Sequence, residues 1–138
     1  MIYLSKNRPV KLIIAGSRSI VNMNFLWAAL RWHRIDRDMI TEVVSGGARG
    51  VDHLGERFAQ QNGIPLRIFP ADWEKYGKAA GSIRNNQMAL YADVLLAVWD
   101  GDSRGTQDMI AAMCRCHKLN YMYPAWEDGA SGSIFDSK

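Results

Sequence analysis

Three short glycine-containing segments carry the residue types that bind phosphate. They are Gly16-Ser17-Arg18-Ser19, Ser45-Gly46-Gly47-Ala48-Arg49-Gly50-Val51-Asp52 and Asp100-Gly101-Asp102-Ser103-Arg104-Gly105-Thr106. Glycine lets backbone N–H groups approach an anion closely, and a helix that starts in such a turn adds unpaired donors and the positive end of its dipole. Arg18, Arg49 and Arg104 add planar forks that match phosphate oxygens. One such turn is no more than a turn, but the repetition predicts a site for the phosphate and ribose of a nucleotide-related ligand. The spacing is neither G-x-G-x-x-G nor G-x-x-x-x-G-K-[ST], which argues against the usual dinucleotide fingerprint and against a kinase-like triphosphate site. A fourth segment, Gly77 to Gln87, leads from a loop into a helix whose first turns carry Arg84, Asn85 and Asn86. Its local sequence leaves two readings open: Ser82 as a helix cap with Arg84 as a surface charge, or a polar row that faces the ligand.

Apolar runs of strand length alternate with helical periodicity, the pattern of βαβ units. The runs are Lys11 to Ala15, Glu42 to Ser45, Leu66 to Phe69, Val94 to Trp99 and Asn120 to Tyr123. Helical stripes are read at Leu26, Ala29, Leu30 and His33, at Val51, Leu54 and Phe58, at Ile83, Gln87, Leu90 and Tyr91, and at Met109, Ile110, Met113 and His117. The fold expected is α/β: a single Rossmann-like three-layer domain with a mainly parallel sheet of five strands and helices on both faces. The nearly continuous LIIA and VLLAVW fit a central pair covered on both sides. The three glycine turns follow the first, second and fourth strands, so they converge on the edge where open parallel sheets bind ligands. The core is expected over residues 11–124, with residues 125–138 a loose tail.

The 138 residues suit one domain, and 48% hydrophobic with 22% charged residues is an ordinary globular balance, far from that of disorder. No run approaches the roughly 20 apolar residues that span a bilayer, and Lys6, Arg8 and Lys11 interrupt the N-terminus. A cytoplasmic protein with reduced Cys114 and Cys116 is expected, because cysteines two apart on a helix point in different directions. The net charge of +3 is too small to specify an anionic partner. Arg31, His33, Arg34 and Arg37 read as a solvated helix end ahead of a nucleic-acid patch. His33, His53 and His117 are scattered, so neither a metal site nor a Ser-His-Asp triad is indicated, and no cofactor is expected.

IIAGSR at 13–18, VVSGGARGVD at 43–52, FPADWEKYGKAAGSIRNNQMA at 69–89 and ADVLLAVWDGDSRGT at 92–106 occur in this order. Together they resemble the YspA-like group, long filed as a domain of unknown function, of the DprA/LOG-like (SLOG) superfamily of Rossmann-like domains. The resemblance covers about Lys11 to Pro124 and implies a nucleotide site built by the GSR, GGARG and GDSRGT turns. Superfamily members include phosphoribohydrolases, sensors of NAD-derived nucleotides and a recombinase loader on single-stranded DNA, so fold alone does not settle function. The phosphoribohydrolase branch carries a Pro-Gly-Gly-x-Gly-Thr-x-Glu-Glu turn and a helical arginine. Here Gly101, Gly105, Thr106 and Arg84 match, whereas Asp100 replaces the proline, Asp108 the first glutamate and Met109 the second.

On that resemblance, N-glycosidic cleavage would use Asp108 to stabilise charge or activate water, with Arg84 orienting phosphate or ribose. Asp52 is a second carboxylate, read equally well as a charge in a helix first turn. Asp72 and Trp73 would close over a base, Trp73 offering a stacking face with Tyr76 three residues on. The favoured expectation is a binding or sensing domain for a nucleotide or an ADP-ribose-like or NAD-derived ligand. The alternatives are a nucleotide phosphoribohydrolase and, last, a single-stranded nucleic-acid module, for which a basic arm and clustered aromatics are missing. A homodimer is expected through an apolar helix face around Met109 and Met113.

Overall fold

In the computed structural model, which describes residues 4–127, the chain runs through β1 (Val10–Gly16), α1 (Met23–Trp32), β2 (Ile40–Ser45), α2 (Val51–Gln61) and β3 (Leu66–Ile68). It continues through α3 (Trp73–Tyr76), α4 (Ala80–Tyr91), β4 (Val94–Trp99), α5 (Arg104–Arg115) and β5 (Leu119–Pro124), with 3₁₀ turns at Arg37–Met39, Gly77–Ala79 and Ala125–Glu127. The five strands are parallel in the order β3-β2-β1-β4-β5. The chain therefore builds outward from β1 to β3, returns to the centre, and builds the other way. That reversal falls between β1 and β4, whose carboxyl ends open a crevice beside Gly16 and Val98.

β4, and β1 apart from Lys11 near its start, are apolar because helices cover both faces. Leu12, Ile14, Val43, Leu96 and Val98 pack against Phe25, Leu26 and Leu30 of α1 and Val51, Leu54 and Phe58 of α2. The alternate residues Ile13, Ala15, Val44, Leu95 and Ala97 meet Met88 and Ala89 of α4 and Met109, Ala112 and Met113 of α5. The architecture is thus the three-layer α/β arrangement read from the sequence. Among the described residues no helix is long and apolar enough to cross a membrane.

The helical registers differ in places from the sequence reading. In α4 the sheet-facing side is Ala80, Asn85, Met88 and Ala89, whereas Gln87 is exposed and Leu90 is 73% exposed. The true stripe includes an asparagine because this helix serves a polar site as well as a core. Met109 and Met113 are buried in that core, so they form no exposed face for a second copy. His33 and His117 lie past the ends of α1 and α5. Both helices close with a bond from two residues beyond the cap, Ile35 N–H to the Leu30 carbonyl at 2.9 Å and Lys118 N–H to the Met113 carbonyl at 3.0 Å. Closure of this kind places Arg34 (φ 55°) and His117 (φ 56°) in the left-handed region. Lys118 Nζ then donates to the carbonyls of Ala89, Leu90 and Ala92 at 2.6–3.1 Å and caps the negative end of α4. Beyond β5, Ala125 is buried and Trp126 packs edge-on against Trp99 with centroids 6.2 Å apart, so the body of the fold reaches further than Pro124. The remainder of the expected tail, 128–138, lies outside the described residues.

Candidate functional site

The first and third glycine turns are fastened to each other. A Cβ on Gly16 would overlap the Val98 carbonyl oxygen, so only glycine allows β1 and β4 to close here. Ser17 N–H donates to that carbonyl at 3.1 Å. The Ser17 hydroxyl is wholly buried and accepts from Asp100 N–H at 2.9 Å. Burial alone would raise the Asp100 carboxyl pKa, but the amides of Asp102 and Ser103, together with Ser17, hold it below the usual carboxylate range. Ser17, expected to meet phosphate, instead locks two loops together. Gly101 sits under the Trp126 ring, away from the crevice.

The second turn is ordered by its own polar side chains. Buried Ser45 donates from its hydroxyl to Glu56 at 2.6 Å and accepts from Gly47 N–H at 3.1 Å, so it shapes the loop and does not face a ligand. Gly50 (φ 78°) lies so close to the Ser17 carbonyl that no side chain fits. Asp52 is 5% exposed and accepts from Ala48 N–H at 3.2 Å. Burial pushes its pKa from 3.8 up to about 6, with Glu56 adding to the rise and the Ala48 amide and Arg84 opposing it. Asp52 lies in the first turn of α2, as one reading of the sequence had it, but there it is buried. Arg84 donates to the Gly46 carbonyl and, through Nε, to Asn85 Oδ1 at 3.0 Å. Burial, with Arg18 nearby, lowers the Arg84 pKa, while Asp52 and Asp108 resist that change.

Between these loops and the starts of α4 and α5 lies a cavity of about 320 Å³, at the small end of the range for organic ligands. Of the residues singled out in the sequence, it gathers Gly16 and Arg18 from the first turn, Ala48 and Asp52 from the second, and Arg104, Gly105, Thr106 and Asp108 from the third. Arg84 and Asn85 enter from α4, and Trp73, 54% exposed, stands at the rim. Gly46 and Gly47 line an adjoining hollow of about 390 Å³ that shares Arg18, Ala48, Trp73 and Arg84 with the first. Ser17, Ser45, Arg49, Gly50, Asp72 and Gly101 line neither. Asp72 instead caps α3 by accepting from Lys75 N–H at 3.0 Å, and so positions Trp73 next to it. A hollow of about 470 Å³ lies at the C-terminal ends of α1 and α2, where Arg31, Arg34 and Arg37 complement negative helix ends as solvated charges do.

The start of α5 leaves its first amides open. Ser103 occupies the N-cap, yet its side chain makes no capping bond; its hydroxyl accepts from Thr106 at 3.2 Å. The amides of Arg104, Gly105 and Thr106 consequently have no backbone partner among the described residues. Arg18 and Arg104 make no ion pair or hydrogen bond there either. Around Gly105 an added Cβ would meet nothing within 4 Å, so the space beside these amides is open. One turn further along, Asp108 is held on both oxygens, by Ser82 at 3.2 Å and by Asn85 at 2.8 Å.

Ser82, open in the sequence between a helix cap and a ligand-facing polar row, is the third residue of α4 and lines the cavity, as does Ser103 of the third turn; Glu56 has no role in the sequence reading. The spacing of Ser82 and Asn85, three apart on one helix face, was the available signal; Asp108 as their shared partner was visible only in the packed helices. Among the described residues no cluster of His, Cys, Asp and Glu could hold a metal ion.

The family described as YAcAr, the YspA, cpYpsA-related SLOG family, matches residues 10–76, which hold the first two turns and α3. The Gene 61 protein of Mycobacterium phage D29 is 39% identical over 105 residues, covering 70% of this chain and 82% of that protein. No solved structure matches. With ordered motifs, a parallel sheet reversing at β1 and β4, and this similarity in sequence, the chain belongs to the YspA, cpYpsA-related SLOG family.

Proposed function

We propose that the protein binds a nucleotide, or an NAD- or ADP-ribose-related ligand, in the crevice between β1 and β4, and acts as a binding or sensing domain. The observation that carries this reading is the set of amides at the start of α5, beside Arg18 and Arg104, all without a partner among the described residues. A phosphate there would receive backbone donors, the helix dipole and two guanidinium groups at once. Trp73, exposed at the rim, supplies an aromatic face for a base. The test is mass spectrometry of small molecules released from purified protein, followed by calorimetry. A phosphate-bearing nucleotide should be recovered or bound, and failure across a broad nucleotide panel overturns the reading.

A second reading is hydrolysis of the N-glycosidic bond of such a ligand. It is favoured by one observation, a carboxylate, Asp108, fixed in the same cavity as Arg84. Incubation with nucleoside monophosphates should then release free base, and Asp108→Asn should stop it; release that persists in the variant removes Asp108 from the chemistry.

A further inference from the structure

The hollow of about 470 Å³ between the C-terminal ends of α1 and α2 lies on the edge of the sheet opposite the crevice between β1 and β4. Its volume is within the range of sites that hold organic groups. The floor is apolar: Ile35 and Phe58 are buried, and the partly exposed Trp27 stands edge-on to Phe58 with ring centroids 5.7 Å apart. Three guanidinium groups surround it from three pieces of backbone, Arg31 in the last turn of α1, Arg34 in the left-handed closure beyond it, and Arg37 in the 3₁₀ turn that follows. Among the described residues none of the three makes an ion pair or a side-chain hydrogen bond. The one carboxylate in the described lining, Asp36, is drawn to Lys6 at 3.8 Å.

This excess of positive charge calls for an anionic partner, and the helix ends decide its kind. A phosphate is held best by the open amides of a helix N-terminus. Here two helices present their C-terminal ends, whose dipoles are negative, so a dianion drawn onto the floor would be repelled. An apolar side chain on the floor avoids that penalty, while carboxylates beside it reach the arginines, whose planar forks match them. A peptide with an apolar anchor between acidic residues presents both groups at once, and clusters of arginine are a recurrent means of reading such segments.

We infer that the hollow at the ends of α1 and α2 is a docking site for an acidic peptide segment of a partner protein, with Trp27 facing its apolar anchor and Arg31, Arg34 and Arg37 its carboxylates. The inference stands apart from the nucleotide site, whose two hollows share no lining residue with this one.

The test is fluorescence anisotropy on the full chain with short labelled glutamate-rich peptides that carry one central phenylalanine, leucine or tryptophan. Lysine-rich peptides, peptides with the anchor replaced by alanine, and a single-stranded oligodeoxynucleotide are the comparisons. An acidic, anchored peptide should bind and should lose about tenfold or more in affinity without its anchor. Arg31→Glu combined with Arg37→Glu, both at exposed positions, turns two attractions into repulsions and should weaken binding about tenfold to thirtyfold. Thermal melts identify folded variants, and Arg31→Gln with Arg37→Gln reads the same loss at a smaller scale should the charge reversal unfold the chain. Failure of every acidic, anchored peptide to bind the native protein overturns the inference. Equal binding of the lysine-rich peptides does so too, as does binding that the folded variants retain in full. An oligonucleotide that binds and is lost in the variants, with no peptide bound, assigns the hollow to nucleic acid and overturns the peptide reading.

Discussion

Gly105→Ala should stabilise the protein while weakening its ligand. Gly105 is the second residue of α5, in a helical first turn where glycine costs about 0.5–1 kcal/mol relative to alanine. Its φ is not positive and an added Cβ meets no atom within 4 Å, so the fold charges nothing for the methyl group. The gain should raise the melting temperature by about 2–4 °C in a domain of this size. The same methyl group enters the space beside the open amides of Arg104, Gly105 and Thr106. Crowding a filled site by one carbon costs roughly 1–3 kcal/mol, a loss of about fivefold to a hundredfold in affinity. Differential scanning fluorimetry without ligand and calorimetry with the tightest nucleotide read the two effects separately. Gly16→Ala is the contrast, since its methyl group overlaps the Val98 carbonyl and must destabilise the sheet. A Gly105→Ala variant that melts earlier refutes the open geometry, and one that binds as well as the native protein refutes the placement of the anion.

Three further outcomes follow from named contacts. Lys118→Met removes the charged donor to the carbonyls of Ala89, Leu90 and Ala92 and should cost about 1–3 kcal/mol in denaturant unfolding; no loss would mean that water replaces it fully. His117→Gly should gain about 0.5–1 kcal/mol, because glycine adopts the left-handed closure of α5 without strain; an unchanged or lower melting temperature counts against this account. Asp52 binds its proton more tightly when folded, with a pKa of about 6 against 3.8. Its stabilising contribution is therefore complete below about pH 4 and is lost as pH rises through 6, amounting to about 3 kcal/mol. Asp52→Asn should flatten stability between these limits, and an unchanged slope would show that other groups carry it.

The alternation of apolar runs with helical stripes was sufficient to read the sheet, because burial on both faces leaves the mark seen in LIIA and VLLAVW. The α4 stripe was misread for the opposite reason. Its inward side carries Asn85, whose partners Arg84, Gly105 and Asp108 include residues some twenty positions away that periodicity cannot register. A similar gap separates residue type from role in the loops. Ser17 and Ser45 have the chemistry of phosphate ligands, but burial commits their hydroxyls to Asp100 and to Glu56.

The sequence by itself determined that glycine turns follow three strands and that arginines sit in them, since these are local matters of spacing and residue type. Which donors remain open was decided only by tertiary structure. Hydrogen bonds are competitive, and a donor is free for a ligand only when packing has given it no other partner. Among the described residues the amides of Arg104, Gly105 and Thr106 meet that condition, and the Ser17 hydroxyl, buried and bonded to the Asp100 carboxyl, does not.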